Sequence, residues 1–429
     1  MTETKSSSVS GALAERQTLR LCTAGSVDDG KSTFVGRLLH DTKSVLADQL
    51  ASVERTSADR GFEGLDLSLL VDGLRAEREQ GITIDVAYRY FATDKRTFIL
   101  ADTPGHVQYT RNTVTGMSTS QVVVLLVDAR NGVVEQTIRH LTVAKLLGVR
   151  TVILAVNKID LVGYSEETFN EIKADFDAKA AELGIEDPHV VPISALRGDN
   201  VAERSDATPW YTGPTVLELL ETIPVNRGRA DDLDFRFNIQ YVLREHASDY
   251  RAYAGRVNAG AVSVGDEILA PCGRTTTLAG IDTADGPVET AHAGDSVALR
   301  LADEIDLTRG DLLASQTRPA DTREFDATVV GLTEKELRAG QAVKLRIGTA
   351  FVRARVASVD RVLDLDGAAG DNTAPGAVAL NDIAHVTIQT ADELPVEPYA
   401  ARGAVGNFLL VDQASGNTLA AGLVGTRLR

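Results

Sequence analysis

The sequence predicts an α/β domain, built on a doubly wound and mostly parallel sheet, followed by two antiparallel β-barrel domains. Two observations predict this fold class. From residue 19 to about residue 224, strand-length apolar runs alternate with helical patterns, which is typical of a parallel sheet with helices on both faces. From Asp234 onward the helical periodicity disappears, and short alternating strands separated by glycine turns indicate small antiparallel barrels.

The elements of the first domain follow from its apolar runs and helical periodicity. Strands are predicted at residues 19–24, 84–92, 96–101, 121–128, 151–157 and 190–193. Helices are predicted at residues 32–39, 107–119, 136–147, 165–183 and 214–222. Because ligands of such sheets bind beyond the carboxyl ends of the strands, we expect the functional site at that edge.

Changes in composition set the predicted domain boundaries. Residues 1–18, rich in Ser and Thr, are predicted to form a disordered arm; the α/β domain is predicted at 19–225 and the two barrels at 226–318 and 319–429. The segment 225–232 is interpreted as a linker, and the polar stretch 315–322 precedes the second β-rich block. Barrel strands are predicted at 235–239, 252–257, 267–270, 296–301, 325–330, 342–347 and 351–359.

Composition excludes several classes of protein. The chain has 429 residues, 43% hydrophobic and 24% charged, and its apolar runs are shorter than the ~20 residues of a membrane helix. A net charge of −17 disfavours binding of nucleic acid through its phosphates. Residues 1–18 lack the apolar core of a secretory signal, and two distant cysteines favour reduced thiols, so we expect a cytoplasmic protein that binds no membrane.

The segment from Gly25 to Ser32 matches G-x-x-x-x-G-K-[ST], the phosphate-binding loop of nucleoside-triphosphate enzymes. A predicted strand precedes it and a predicted helix follows, whereas a chance match on a surface turn would lack that context. Lys31 can reach the β- and γ-phosphates, and Ser32 can ligate magnesium. The predicted phosphate-binding residues are Gly25, Ser26, Val27, Asp28, Asp29, Gly30, Lys31, Ser32 and Thr33.

Two further segments complete the predicted phosphate and metal site. Asp102-Thr103-Pro104-Gly105 closes the strand at 96–101, where Asp102 can hold magnesium through water and the Gly105 N–H can bind a γ-phosphate. Alone, this pattern is more often an ordinary turn. Thr83, in Gly-Ile-Thr-Ile at 81–84, can reach magnesium when the γ-phosphate is present. The predicted metal ligands are therefore Ser32, Thr83 and Asp102.

The base-binding prediction depends on Asn157-Lys158-Ile159-Asp160, which ends the strand at 151–157. The Asp160 carboxylate can accept two hydrogen bonds from guanine, and adenine offers no matching pair of donors. Leaving that carboxylate unpaired is costly, so Asp160 selects GTP over ATP. Ser194-Ala195-Leu196 is predicted to support the same base. A helix cap is the alternative interpretation of N-K-x-D alone.

These five motifs, in this order, resemble the translation-factor class of GTPases, and the two barrels resemble the layout of elongation factor Tu. The fold class is thus an α/β P-loop GTPase domain followed by two barrels. The segments 25–33, 76–91 and 108–112 narrow the resemblance to the CysN family, the GTP-binding large subunit of bacterial ATP sulfurylase. Ser26 stands where elongation factors usually carry His. Val107 and Thr113 depart from the family pattern, which affects the details of partner contact.

This resemblance implies a GTP/GDP- and Mg²⁺-dependent GTPase with Lys31, Thr83 and His106 as catalytic residues. His106 would orient the attacking water, held back by an apolar gate of Val27 and Ile82. It implies a partner, the small catalytic subunit CysD, in a heterodimer or higher assembly. CysD would make adenosine 5′-phosphosulfate and pyrophosphate from ATP and sulfate, driven by GTP hydrolysis on this chain.

Expectations also follow for the partner contacts, for a fused kinase and for alternative functions. The segments 72–85 and 106–116 are expected to contact the partner. The sequence lacks a second phosphate-binding loop, so the form without a fused adenylylsulfate kinase is expected. An elongation-factor-type GTPase carrying aminoacyl-tRNA is the first alternative function, and a GTP-dependent scaffold is the second.

Overall fold

The computed structural model describes residues 17–59, 65–71, 85–105, 110–224, 230, 232–245, 250–363, 376–400 and 405–426. The chain divides into two compact units, Met1–Val225 and Asn226–Arg429. Within the described ranges, no helix combines the length and apolarity needed to cross a bilayer. The predicted N-terminal arm lies almost entirely outside the described residues, as does most of the predicted linker at 225–232.

The first unit is built on a six-stranded sheet, counted over its described residues, with the order β2-β3-β1-β4-β5-β6. Its strands are β1 Thr18–Gly25, β2 Ala87–Ala92, β3 Thr97–Asp102, β4 Val122–Asp128, β5 Thr151–Asn157 and β6 Asp187–Pro192. All neighbours pair in parallel except β2, which runs antiparallel to β3. The predicted doubly wound, mostly parallel sheet is confirmed.

Six α-helices occur in the described part of this unit. They are α1 Lys31–Asp41, α2 Ala47–Asp59, α3 Thr110–Ser118, α4 Glu135–Leu146, α5 Glu166–Leu183 and α6 Val216–Thr222. Short 3₁₀ turns occur at Leu67–Leu70 and Ile159–Val162. The sequence analysis missed α2, because most of its residues are exposed and its apolar face is too sparse to give a helical period.

Several predicted boundaries were wrong by a few residues. The strand predicted at 84–92 begins only at Ala87, and the one predicted at 190–193 already begins at Asp187. β6 therefore includes Pro188, which is tolerated because β6 is an edge strand. The helix predicted from residue 214 begins at Val216, because Thr215 is its N-cap and accepts from the Glu218 N–H.

The core of the first unit includes the interface between the six-stranded sheet and α1. Strands β4 and β5 are buried along their whole length, as expected for central parallel strands covered on both faces. Phe34, Val35 and Leu38 of α1 pack into this core and are fully buried. This packing fixes the first turn of α1 relative to the carboxyl ends of the strands, which is where the predicted site lies.

The second unit begins with a closed ring of antiparallel strands. The strands of this sheet are β7 Arg236–Glu245, β8 Tyr250–Ala259, β10 Glu267–Leu269, β11 Thr275–Thr283, β12 Gly286–Val288, β14 Ser296–Leu301 and β15 Leu312–Ala314, while β9 Ala261–Ser263 and β13 Thr290–His292 form a separate two-stranded sheet. The sheet order is β10-β15-β7-β8-β14-β11-β12, and pairing of β10 with β11 closes the ring. Its interior holds Phe235, Phe237 and Tyr253, all buried.

A second closed barrel follows in the same unit. Its strands are β16 Asp321–Gly331, β18 Ala342–Ile347, β19 Ala350–Val362, β21 Ile383–Pro395, β22 Asn407–Val411 and β23 Thr418–Val424, with a separate ribbon of β17 Leu337–Arg338 and β20 Ala377–Val378. The two predicted barrels are therefore confirmed as architecture. The division of the chain into three domains stays a prediction, because the compact units number two.

The two barrels of the second unit contact each other through hydrogen-bonded polar groups. The Arg236 side chain, almost fully buried, donates to both carboxylate oxygens of Glu397, at 2.9 and 3.1 Å. The Thr349 hydroxyl donates to the Ile239 carbonyl at 2.8 Å, next to the turn at Gly348 that approaches Asn238. These contacts explain why the two barrels form one compact unit.

Candidate nucleotide site

The loop between β1 and α1 is shaped by two glycines whose neighbours leave no room for a side chain. A Cβ on Gly25 would lie 2.6 Å from the Leu126 carbonyl oxygen. Gly30 has a φ of +88°, and a Cβ there would lie 2.4 Å from Nδ2 of Asn157. The loop can therefore press against β4 and β5 only with glycine at these positions.

Two side chains of the loop hold its curled backbone. The Asp29 carboxylate accepts a 2.6 Å hydrogen bond from the Ser26 N–H. The Lys31 ammonium donates to the carbonyl oxygens of Gly25 at 3.0 Å and Ser26 at 2.5 Å. Lys31 therefore reaches back across the loop from the first turn of α1, as a phosphate-binding lysine must.

Lys31 is the central charge of this loop and is only 8% exposed. Burial lowers the pKa of its ammonium, while the carboxylates of Asp29 and Asp102 act in the opposite direction. Burial also raises the pKa of Asp29. Gly105 lies against the ammonium, since a Cβ on it would be 2.2 Å from Nζ. A phosphate placed here would meet a desolvated cation.

The end of β3 lies beside the loop. Asp102 is fully buried, and its Oδ1 accepts a 3.0 Å hydrogen bond from the Thr23 hydroxyl. The Thr103 hydroxyl donates to the Thr23 carbonyl at 2.6 Å, and the Thr113 hydroxyl donates to the Pro104 carbonyl at 3.2 Å. Hydrogen bonds to β1 and α3 therefore fix the backbone of the Asp102–Gly105 segment.

Asn157 joins the phosphate loop to the predicted base-binding loop. Its Nδ2 donates to the Asp29 carbonyl at 2.7 Å, and its Oδ1 accepts from the Ala195 N–H at 2.9 Å. The side chain is almost fully buried. The side-chain amide can both donate and accept a hydrogen bond, so this one group holds the two loops at a fixed separation.

Lys158 continues this linkage through a buried carboxylate. Its ammonium donates to Oδ2 of Asp128 at 2.9 Å and to the Asp28 carbonyl. Arg130 donates to the same carboxylate, at 2.6 Å from Nη2. Although burial alone would raise the pKa of Asp128, the hydrogen bonds from Arg130 and Lys158 hold it well below its usual range. The carboxylate therefore stays ionised.

Asp160 lies in the 3₁₀ turn that follows β5, with its side chain 7% exposed. Its Oδ2 is 3.5 Å from Nε of Arg197, whose side chain is 64% exposed. A guanine base that donates to Asp160 would meet the Arg197 guanidinium at the same carboxylate. Arg197 directly follows the Ser194–Leu196 segment, so the base-binding loop itself carries this cation.

Arg37 of α1 donates hydrogen bonds to the same Ser194–Leu196 segment. Its Nε donates to the Ala195 carbonyl at 3.1 Å, and its Nη2 donates to the Leu196 carbonyl at 2.5 Å. Its side chain is 16% exposed and also approaches Asp41. One helix therefore carries Lys31 at its start and, two turns later, the residue that fixes the base-binding loop.

A buried histidine of α4 lies in the electric field of the site. His140 is 1% exposed, and its Nε2 is 3.0 Å from Nε2 of Gln136. Burial lowers its pKa to about 3, and the charges of Lys31 and Arg139 act in the same direction. The imidazole is therefore neutral at physiological pH.

The structure brings most of the predicted residues together at the carboxyl ends of β1, β3 and β5. Residues of the phosphate loop, the β3 end and both base-binding segments all lie at this edge, namely Gly25, Ser26, Val27, Asp28, Asp29, Gly30, Lys31, Ser32, Thr33, Asp102, Thr103, Pro104, Gly105, Asn157, Lys158, Ile159, Asp160, Ser194, Ala195 and Leu196. Thr83 and His106, two of the three predicted catalytic residues, lie outside the described residues. Val27 and Leu196 expose apolar side chains at this edge, at 42% and 51%.

The sequence analysis missed Arg37, Asp128 and Arg130. Asp128 had a usable signal, because it is a carboxylate that ends a buried strand beside the phosphate loop. Arg37 had none, since its carbonyl acceptors lie 158 and 159 positions away.

Comparison with known proteins identifies the family. Residues 16–226 match the Elongation factor Tu GTP binding domain, and residues 324–425 match the GTP-eEF1A C-terminal domain-like family. Sulfate adenylyltransferase subunit 1 of Citrobacter koseri is 47% identical over 419 residues, which cover 96% of this chain and 87% of that protein. The chain belongs to the sulfate adenylyltransferase subunit 1 family. Its first unit carries a GTP-binding domain of the elongation factor Tu type, so this unit binds guanine nucleotide.

Other members of the sulfate adenylyltransferase subunit 1 family agree with this assignment. The Shewanella oneidensis protein of that name is 47% identical over 413 residues, covering 95% of this chain and 85% of its own length. The Bifunctional enzyme CysN/CysC of Mycobacterium tuberculosis is 51% identical over 412 residues, covering 95% of this chain and 67% of its own length. A solved structure of sup35 with GDP aligns at a TM-score of 0.42 and 24% identity over 96% of this chain and 95% of its own, which adds nothing to the assignment.

Proposed function

We propose that this chain is the GTPase subunit of a sulfate adenylyltransferase. GTP hydrolysis at the described site would drive the conversion of ATP and sulfate to adenosine 5′-phosphosulfate and pyrophosphate on a partner subunit. The observation that carries the proposal is the joining of the phosphate loop to the guanine-binding segment by Asn157, in a chain 47% identical to named sulfate adenylyltransferase subunits.

Phosphate binding would use the desolvated ammonium of Lys31 and the N–H groups of the curled loop. In the structure that ammonium donates to the Gly25 and Ser26 carbonyl oxygens. The β- and γ-phosphates would replace those weak acceptors with charged ones, which make stronger hydrogen bonds. Phosphoryl transfer depends mainly on such positioning and charge neutralisation.

Base selection would depend on Asp160. Its carboxylate would accept from N1 and the exocyclic amine of guanine, after moving away from Arg197 or sharing its charge. Adenine would leave this nearly buried carboxylate facing an acceptor, at a cost of about 1–3 kcal/mol or more. The Ala195 backbone, held by Asn157 and Arg37, would support the same base.

Magnesium fits the donors at the site. Asp102 supplies a buried carboxylate beside Lys31, and Ser32 supplies a hydroxyl in the first turn of α1. Magnesium favours such hard oxygen donors together with phosphate oxygens and retained waters. When bound, it would neutralise charge that develops on the phosphates. We assign Ser32 and Asp102 to this role, and Thr83 by its position in the sequence.

The attacking water would be oriented by His106, next to Gly105. This role is carried by the resemblance to translation-factor GTPases, in which a His follows the same Asp-x-x-Gly motif. Gly105 lies against the Lys31 ammonium, and His106 follows it directly in the sequence. The water oxygen would bond to the γ-phosphorus as the bond from that phosphorus to the bridging oxygen of GDP breaks, and the water proton would end on the released inorganic phosphate.

Coupling to sulfate requires that the GTP and GDP states bind the partner differently, because a ligand shifts an equilibrium only through differential affinity. The name subunit 1 of the relatives implies a second subunit. We assign that role to the small catalytic subunit, CysD, with the segments 72–85 and 106–116 as its nucleotide-sensitive contacts.

The test is reconstitution of the chain with the small catalytic subunit, ATP and sulfate. We expect pyrophosphate and adenosine 5′-phosphosulfate to accumulate with GTP, and far less with GDP or a non-hydrolysable GTP analogue. GTP consumption should rise and fall with product formation. A yield of adenosine 5′-phosphosulfate that is the same with GTP, with GDP and without nucleotide would refute the proposal.

A further inference from the structure

A strip of basic and apolar side chains covers one outer face of the second barrel. Its register is fixed by two strand pairs: β18 with β19, and β18 with β22. Directly paired residues of neighbouring strands point to the same side of a sheet. We define the basic strip as Lys344, Arg346, Phe351, Arg353, Arg355 and Leu409.

The pairing arranges this strip in rows across the strands. Arg346 pairs with Phe351 on one side and Leu409 on the other. Lys344 pairs with Arg353 in the next row, and Arg355 lies one row further along β19. Between them, Leu345 is fully buried and Ala354 is nearly so, while Val352 is half-buried, so the alternation leaves the strip on the outer side.

The strip carries four cations: Lys344, Arg346, Arg353 and Arg355. In the ion pairs formed among the described residues, none of these four side chains takes part. Arg355 donates to the Gln389 side chain at 2.6 Å, and the Lys344 ammonium lies 5.2 Å from the centre of the Phe351 ring. In a chain of net charge −17, such a concentration of positive charge is local and distinct.

Apolar surface is interleaved with these charges. Phe351 is 54% exposed and Leu409 is 37% exposed, and they flank Arg346 in one row. Arginine and aromatic residues are enriched at the centres of protein interfaces, and they supply most of the binding energy there. The strip ends where the row of Arg355 continues through Gln389 to the Glu324 carboxylate.

We propose that the basic strip docks the small catalytic subunit through a surface of that subunit that bears carboxylates around an apolar side chain. This assignment rests on the proposed function, because it names the partner which that function requires. A protein surface fits better than a polynucleotide, since Phe351 and Leu409 need an apolar group and the net charge of −17 opposes a dense polyanion. The second unit would thereby anchor the partner, while the nucleotide acts from the first unit.

The test compares two double charge reversals in the full-length chain. R346E/R353E reverses the centre of the strip. R323E/R338E makes the same change of net charge at two exposed arginines elsewhere on this unit, with side chains 65% and 69% exposed. Affinity for the small catalytic subunit is measured by calorimetry at low and high salt, and each isolated variant is checked for GTP hydrolysis and melting temperature.

We expect R346E/R353E to bind the subunit at least about tenfold more weakly at low salt and to lose most of the salt dependence of binding. R323E/R338E should bind within about threefold of the unchanged chain, since exposed charges far from an interface contribute little. Phe351→Ala should weaken binding without changing the salt dependence. Basal GTP hydrolysis and melting temperature should stay the same in all variants.

Equal affinities for the two double variants would overturn the docking surface while leaving the proposed function intact. Failure of the unchanged chain to bind the subunit at all would overturn both. Binding of transfer RNA that is lost in R346E/R353E, with subunit binding unchanged, would assign the strip to nucleic acid instead and contradict the proposal.

Discussion

The side-chain amide of Asn157 donates a 2.7 Å hydrogen bond to the backbone carbonyl of Asp29, 128 positions earlier in the chain. The same amide accepts from the Ala195 N–H, so the phosphate loop and the base-binding loop share one buried support. We therefore expect nucleotide affinity to depend on Asn157, which holds the two loops at a fixed separation.

Replacing Asn157 should weaken the binding of GTP and of GDP equally. Asn157→Ala leaves the Asp29 carbonyl and the Ala195 N–H without a partner, at about 1–3 kcal/mol each. We expect GTP and GDP affinity to fall by roughly 10–100-fold, measured with a fluorescent nucleotide. Asn200→Ala is the matched control, because Asn200 is equally buried and donates to Pro192 and Thr208 without touching the phosphate loop. A comparable loss of affinity in that control would contradict a specific linking role for Asn157.

Gly30 should tolerate no side chain. Gly30→Ala pays about 1–2 kcal/mol for the left-handed backbone and also pushes into Asn157, since the new Cβ would lie 2.4 Å from Nδ2. We expect nucleotide binding to fall below detection at micromolar protein. Gly184→Ala, at a φ of +67° but with neighbours only at 3.5 Å or more, should lower stability while leaving nucleotide affinity unchanged. Retained binding in Gly30→Ala would show that the close approach is unnecessary.

Arg37 should act on binding rather than on chemistry. Arg37→Lys keeps the charge but loses the fork that reaches the Ala195 and Leu196 carbonyls together. We expect KM for GTP to rise by roughly 5–20-fold with little change in kcat, since the base is bound equally in ground and transition states. Steady-state hydrolysis measures both constants. A fall in kcat at constant KM would place Arg37 in a different role.

His140 should make the first unit unstable in mild acid. Burial lowers its pKa to about 3, below the ordinary 6.5, so the unfolded state takes up a proton that the folded state refuses. Stability is complete above pH 6.5 and falls toward pH 3, by up to about 1.4 kcal/mol per pH unit from this group. Urea unfolding followed by Trp210, the sole tryptophan of the sequence, reports it. His140→Gln should lose less stability between pH 6.5 and 5; parallel curves would refute the assignment.

His106 should affect hydrolysis far more than binding. His106→Ala removes the group that would orient the attacking water, and general acid–base groups contribute about 10²–10⁴-fold to rate. We expect single-turnover GTP hydrolysis to slow by at least about 100-fold, with GTP affinity within threefold. Equal losses of rate and affinity would mean that His106 supports the fold of the site instead.

Most of the fold was predictable because its signals are local. The buried runs of β4 and β5, and the glycines of the phosphate loop, are each visible within eight residues of sequence. The helix α2 was not predicted, because most of its residues are exposed and its apolar residues show no helical period. The motifs likewise placed Lys31 and Asp160 at the site without any knowledge of contacts.

The remaining features depend on residues that meet only after folding. The Arg37 contacts and the Asp128–Lys158 pair join segments far apart in sequence. The basic strip is equally invisible, because its cations alternate with core residues along two strands and never form a run. Cross-strand register, which the sequence does not display, creates that surface.

The most direct test of the central claim changes which nucleotide drives the reaction. Asp160→Asn exchanges a carboxylate acceptor for an amide, which matches the extra carbonyl of xanthine better than the amine of guanine. In the complex with the small catalytic subunit, xanthosine triphosphate should then drive adenosine 5′-phosphosulfate formation by the Asp160→Asn variant, while GTP should not. Undiminished product formation with GTP, or hydrolysis of xanthosine triphosphate without product, would contradict the account.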